Sequence, residues 1–383
     1  MNKTKRLPHP GAGRVGFTIL GAGCILLLLF FSDSAIASVK NGLALCGQTV
    51  IPALFPFMVA SEILVGSGGA AAIGKLLSRP VQLILGMPGT AACPVVLGAL
   101  CGFPTGARTA AALYDAGALS AGQCTRLLTF INNPSSAYMI SAVGVSLLGS
   151  RRVGLLLWII SLACSLITAL VTRVLMPEST GCGMPPAPQP VRMGADVFTG
   201  AVSAATQSML AVCAYVLFFS AVLGALQSAL ASLSLPPVLT ALLYGSIEMS
   251  GGIARAAQAG NSVQAAMLCA ALASWSGLSV MCQIMTVCRG RGFSFLPYLI
   301  AKAAQALLAA ALTGLAMRYL LPLLPPEGVH VSLILPEGTA RILIKAVNVS
   351  FGICCAALTR KKAKNAITGT MQKSSTGAQP IRR

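Results

Sequence analysis

Ten apolar stretches divide this chain, too long and too closely spaced to be buried in a water-soluble core. They cover approximately 17–31, 43–66, 83–113, 124–148, 153–176, 198–231, 236–258, 263–288, 295–321 and 340–358. A helix needs roughly 20 apolar residues to cross the hydrocarbon layer, and most of these stretches come close to or exceed that length. Only 9% of the 383 residues are charged and 56% are hydrophobic. A soluble domain carries about a quarter charged residues. The sequence therefore predicts an all-α, polytopic membrane protein with about eight transmembrane helices, and it excludes an ordinary soluble enzyme.

Lys and Arg number 27 against 8 Asp and Glu, a formal charge of +19. In a soluble chain that balance would suggest nucleic acid. Here the basic residues sit at the ends of apolar runs and in two tails, where the positive-inside rule and anionic headgroups place them. The expected partner is a lipid bilayer, with no nucleic acid. Basic tails at 1–16 and 359–383 put both termini in the cytoplasm, and 17–34 is the first span. Lys3, Lys5, Arg6 and Arg14, the run 17–31 and Ala35-Ile36-Ala37 also have the layout of a secretory signal. An uncleaved span is the preferred reading, because more spans follow directly.

The cysteines lie mostly inside apolar segments and show no CxxC spacing, so neither a disulfide framework nor a metal site is expected. His9 lies in a tail and His330 in a Pro-rich loop. There is no HExxH, triad, Walker A or GxGxxG. No cofactor and no enzymatic activity are expected.

Pro177, Pro185, Pro186, Pro188 and Pro190 mark a linker at 177–197, which separates two similar units, 43–176 and 198–321. A loop and a last span follow at 322–358. Gln48–Leu64 aligns with Gln207–Leu223, and Gly98 through Arg108 with Gly245 through Arg255. Gln123–Ser135 aligns with Gln264–Ser276, and Arg151-Arg152 with Arg289 and Arg291. Each match is weak, but their shared order argues for duplication.

The Gly- and Pro-rich segments 83–113 and 236–258 predict two re-entrant hairpins, since irregular backbone at membrane depth survives only against protein or a watery cavity. Each unit then crosses three times, so the repeats are inverted, as in secondary transporters. Two full crossings instead would give about ten spans, and the charge distribution permits both.

Glu62 and Glu248 lie in apolar surroundings where a carboxylate costs about 2.5–3.5 kcal/mol on insertion scales. They are candidates for proton or cation coupling, or else bond a neighbouring helix. Asn132-Asn133-Pro134-Ser135 and Ser274-Trp275-Ser276-Gly277 interrupt corresponding segments. Two broken helices at matching places point to a midplane site contacted by Asn132, Asn133, Ser135 and Ser276. A solvated Pro kink is the alternative. In Cys101-Gly102-Phe103-Pro104-Thr105-Gly106-Ala107-Arg108, a helix starting near Thr105 aims N–H groups at an anion and Arg108 adds charge. Snorkelling of Arg108 is the other reading. Arg255 is the equivalent candidate in the second repeat.

The runs Pro52-Ala53-Leu54-Phe55-Pro56-Phe57 with Ser61-Glu62, Gly102 to Ala107, and Asn132-Asn133-Pro134-Ser135 resemble the YlbJ sporulation integral membrane proteins. The resemblance covers about 15–360. That family is grouped with the nucleoside-recognition or Gate domain proteins, which include concentrative nucleoside transporters and the membrane part of the ferrous iron transporter B. The resemblance implies a protein of the mother-cell membrane around the forespore, linked to moving dipicolinate. The expected function is a transporter or facilitator of a small anionic metabolite. The alternatives are a non-transporting scaffold for spore envelope or cortex assembly, and a nucleoside as substrate. A homo-oligomer is compatible with either class.

Overall fold

The computed structural model describes residues 12–177, 195–233 and 235–321. Most of the linker, both histidines, the span expected at 340–358 and the basic C-terminal tail lie outside the described residues. Those described are helical, with no strand among them.

Helix α1 (Ala12–Phe30) meets α2 (Ser32–Leu45) at a 95° bend. A π-helical turn at Cys46–Val50 then leads into α3 (Ile51–Gly66). The sequence reading began this second span at residue 43, but helix starts at Ser32. Residues 32–41 contain neither Pro nor Gly to stop it, and Asp33 in the first turn suits the helix dipole. Two short helices follow, α4 (Gly69–Leu76) and α5 (Ser78–Pro80), then a π-helical turn at Val81–Leu85. Gly86 closes that turn at φ +61°. Its last carbonyls take hydrogen bonds from two arginines. Arg126 donates to Leu85 O, and Arg173 donates to Leu83 O at 2.5 Å and Ile84 O at 2.9 Å. Cations at a helix C-terminus satisfy both its free carbonyls and its dipole.

The first hairpin is α6 (Ala92–Leu100) and α7 (Thr105–Asp115), joined at Cys101–Pro104. Then come α8 (Ala121–Ile131), a break at 132–134, a π-helical segment Tyr138–Leu147, and α9 (Arg151–Leu175). Beyond the linker, α10 (Ala195–Ala229) runs for 35 residues, about 52 Å at 1.5 Å per residue. The second hairpin is α11 (Pro237–Ile247) and α12 (Met249–Ala256), turning at Glu248. It is followed by α13 (Ser262–Trp275), a break at Ser276, α14 (Gly277–Cys288) and α15 (Leu296–Leu315).

The two units repeat in detail. In each hairpin the arms cross at a pair of glycines, Gly98 with Gly106 and Gly245 with Gly252. A Cβ on Gly106 would lie 3.0 Å from Gly98 Cα, and one on Gly252 would overlap Gly245. After each hairpin a capping box starts the next helix: Ser120 with Gln123, and Asn261 with Gln264.

Hairpin 1 packs through α7 against α8 and α14, and hairpin 2 packs through both its arms against α13 and α14 and through α12 against Tyr138–Leu147. Helices α8 and α13 enter the two breaks, so each hairpin lies beside the helix that leads into its own repeat's break. The end holding hairpin 1 is tied together by its loops. Arg291 clasps Asp115 at 2.8 and 2.7 Å, Ser294 N donates to Thr125 Oγ1 at 3.1 Å, and the Tyr114 and Phe293 rings meet edge to face.

Among the described residues, four helices are long and apolar enough to cross a membrane, and two bent pairs raise the number to six. That is below the expected count. The segment 124–148 is cut at Pro134 into two pieces too short to qualify, and 340–358 falls outside the described residues. Large apolar side chains cover the outside, with Phe17 and Phe30 each 79% exposed. Such a surface suits lipid. This is an all-α, multi-pass membrane protein.

Candidate functional site

The first break is built around a missing donor. Pro134 has no N–H to give the Phe130 carbonyl four residues earlier. Asn133 Nδ2 supplies one instead at 3.1 Å, and Asn132 Nδ2 donates to Leu128 O at 3.0 Å. The carbonyls of the break itself are met from elsewhere. Phe103 N at the tip of hairpin 1 donates to Asn133 O at 2.9 Å, and Lys302 Nζ on α15 donates to Asn132 O. Ser165 on α9 donates to Asn133 Oδ1. Gly102 allows this close approach, since its φ is +79° and a Cβ would lie 2.6 Å from Ser135 N.

The second break pairs with hairpin 2 in the same way. Ser276 takes φ +71° and Gly277 +75°, a left-handed pair that ends α13 and redirects the chain into α14. Trp275 Nε1 donates to Ser246 O at 3.2 Å. A Cβ on Gly277 would stand 3.0 Å from Met249 N.

Both tips and the first break converge on one cavity, with α14 beyond the second break completing the wall. Phe103, Ser135 and Tyr138 line it from the first unit, Glu248, Ser250 and Gln283 from the second. Leu54 of α3 and Val212 and Val216 of α10 close the side. Its volume is about 40 Å³, room for a few waters at roughly 10–15 Å³ each, and too little for an aromatic dicarboxylate.

Two of the predicted site residues, Ser135 and Glu248, line the cavity. The Glu248 carboxylate also caps α12, accepting from Ser250 N at 2.9 Å and Gly251 N at 2.6 Å. Its charge thus faces a helix N-terminus, which explains how it is tolerated at 4% exposure. Asn132 and Asn133 sit behind the wall as caps for the break, and Ser276 is fully buried beside Tyr298. Thr105 starts α7, and its Oγ1 is buried with no partner among the described residues.

The arginines are not in the cavity wall. Arg108 pairs with Glu62 at 3.1 Å and reaches Ala204 O at 3.5 Å. Glu62 and Arg108, expected in different roles, are therefore a pair linking α3 to hairpin 1. Arg255 lies over the Tyr244 ring at 3.7 Å and donates to Gln227 Oε1 and Gly251 O, both at 3.2 Å. No Lys or Arg is among the described residues that line the cavity.

Lys302 and Gln305 are the residues that sequence reasoning passed over. A lone lysine within the apolar stretch 295–321, with a glutamine three positions on, was the available signal.

The fold and site together define a polytopic membrane protein whose hairpins, first helix break and α14 enclose a central cavity. Compared with known proteins, the chain is similar to the sporulation integral membrane protein YlbJ of Bacillus subtilis strain 168. The two are 31% identical over 118 residues, which is 31% of this chain and 29% of that protein. The match thus spans under a third of the relative's length. No protein-family profile matches the chain, and no solved structure matches it.

Proposed function

We propose that this chain is a sporulation-associated membrane transporter or facilitator of a small anionic metabolite, with dipicolinate as the first substrate to test. The observation that carries the reading is the convergence of two hairpin tips, the first helix break and α14 on one cavity. Such discontinuous helices place ends of helix dipoles and polar backbone at mid-membrane, where a polar solute would otherwise find only hydrocarbon. The similarity to YlbJ supports a role in sporulation, and the mother-cell membrane around the forespore is the proposed location.

The Glu62–Arg108 pair gives the anion a route. A carboxylate that binds Arg108 has to displace Glu62, and a proton on Glu62 removes its hold on the guanidinium. Anion and proton are then coupled at one ion pair beside hairpin 1. The cavity presents Glu248 and no cation, so the anion enters only once Arg108 is released and the hairpins part.

Uptake of dipicolinate into proteoliposomes tests this. Wild type should show saturable uptake, and Arg108→Ala should lower it by about tenfold or more, the loss of one charge-assisted contact. Glu62→Gln should retain uptake but flatten its pH dependence. Undiminished uptake by Arg108→Ala removes Arg108 from the path. Competition by a nucleoside changes the substrate, and no flux from folded wild type leaves the scaffold role.

A further inference from the structure

Lys302 stands within α15 with none of its surface exposed, and neither of its recorded hydrogen-bond partners is a carboxylate. One is the carbonyl of Asn132 at the break in the first repeat, and the other is Gln305 Oε1 at 3.0 Å. The amide of Gln305 cannot be turned the other way. Its Nε2 donates to Thr129 O and Thr168 Oγ1, both at 3.0 Å, and Thr168 gives its own proton to Cys164 O. Oε1 is thereby fixed toward the ammonium.

Both partners of the ammonium are neutral acceptors. The carbonyls of Thr129 and Asn132 belong to the C-terminal end of α8, where the helix dipole concentrates negative partial charge. Asn132 Oδ1 is buried and has no partner among the described residues. Two neutral oxygens, buried and held in place by Gln305's other bonds, suit a dehydrated monovalent cation as well as they suit an ammonium.

We propose that Lys302 is a tethered cation. It fills, through a covalent arm from the second repeat, a seat at the first break that would otherwise hold a free monovalent ion. The break is then stabilised without any added ion, and α15 is pinned to it.

Thermal stability of the purified full-length protein reads this seat whatever the chain transports. At fixed ionic strength, wild type should unfold at one temperature in sodium, potassium, choline or n-propylammonium chloride. Lys302→Ala removes three carbons and the ammonium, so it should unfold several degrees lower. n-Propylammonium, which replaces the missing atoms, should raise it again in a saturable way, and n-propanol should not. Lys302→Met keeps the carbon stem and loses the charge. It should be destabilised and insensitive to n-propylammonium. The proposal is overturned if wild type is itself stabilised by sodium or potassium over choline, if n-propanol rescues Lys302→Ala as well as the amine does, or if Lys302→Met matches wild type. Should Lys302→Ala not be recovered folded, the wild-type and Lys302→Met measurements decide alone.

Discussion

Glu62 and Glu248 carry the same charge in apolar segments and meet it differently. Glu248 uses its own helix, taking two backbone N–H groups at the start of α12. Glu62 uses a distant partner, Arg108, at 3.1 Å and about 30% side-chain exposure. The first arrangement is local and rigid, whereas the second is partly open and exchangeable. That contrast is why the exchange of an anion is assigned to Arg108 and Glu62. Asp115 shows a third arrangement at the loop surface, where Arg291 hydrogen-bonds its carboxylate and holds it below the ordinary carboxylate range. A depressed folded-state pKa contributes stability at neutral pH that is lost as pH falls through it. Asp115→Asn should therefore lower the melting temperature slightly at pH 7, by about 1 kcal/mol or less for an exposed pair. At acid pH the difference from wild type should vanish, which parallel melting curves will check.

At the scale of elements, the hairpins depend on glycine pairs and the breaks on borrowed donors. Gly252→Ala forces a methyl against Gly245 backbone, where no flexible side chain can give way. It should cost about 1–3 kcal/mol, as overpacking does, and appear as a lowered melting temperature with the helix content kept. The long helix pair makes a similar prediction. Helices α2 and α10 run antiparallel, with Gly224 against Ser38, Gly42 against Ser220, and Ser228 Oγ donating to Ser34 Oγ at 2.6 Å. Gly224→Leu should push the pair apart and destabilise the protein by a similar or larger amount, measurable in the same assay.

The hairpins and breaks were legible in the sequence because Gly and Pro act locally, through φ and through a missing donor. The extension of the second span back to Ser32 was hidden by residues such as Ser34, Ser38 and Lys40, which look like loop and serve as contact or edge of a helix. The role of Lys302 was hidden for another reason. One of its two acceptors, Asn132 O, lies 170 residues away in sequence, and only the fold brings it to the lysine. Arg108 was recognised as a charge beside hairpin 1, yet only the fold places Glu62 opposite it.

For the whole molecule, the repeats matter because they face each other. Each hairpin packs on the helix that leads into its own repeat's break, hairpin 1 on α8 and hairpin 2 on α13, and each is hydrogen-bonded to that break. Under the proposed transport function, opening either hairpin would expose this cavity, as alternating access requires. Lys302 joins the repeats across the first break, so movement of α15 is felt at the cavity wall. The cavity is therefore the centre of the account, and filling it is the direct test. Leu54 of α3 lines it and is only partly buried, so Leu54→Trp should be accommodated in the fold while occupying the space. Dipicolinate uptake should then fall by about tenfold or more relative to wild type, at equal protein in the membrane and an unchanged melting temperature. Uptake that persists at the wild-type rate through a filled cavity would contradict the assignment of this site as the path.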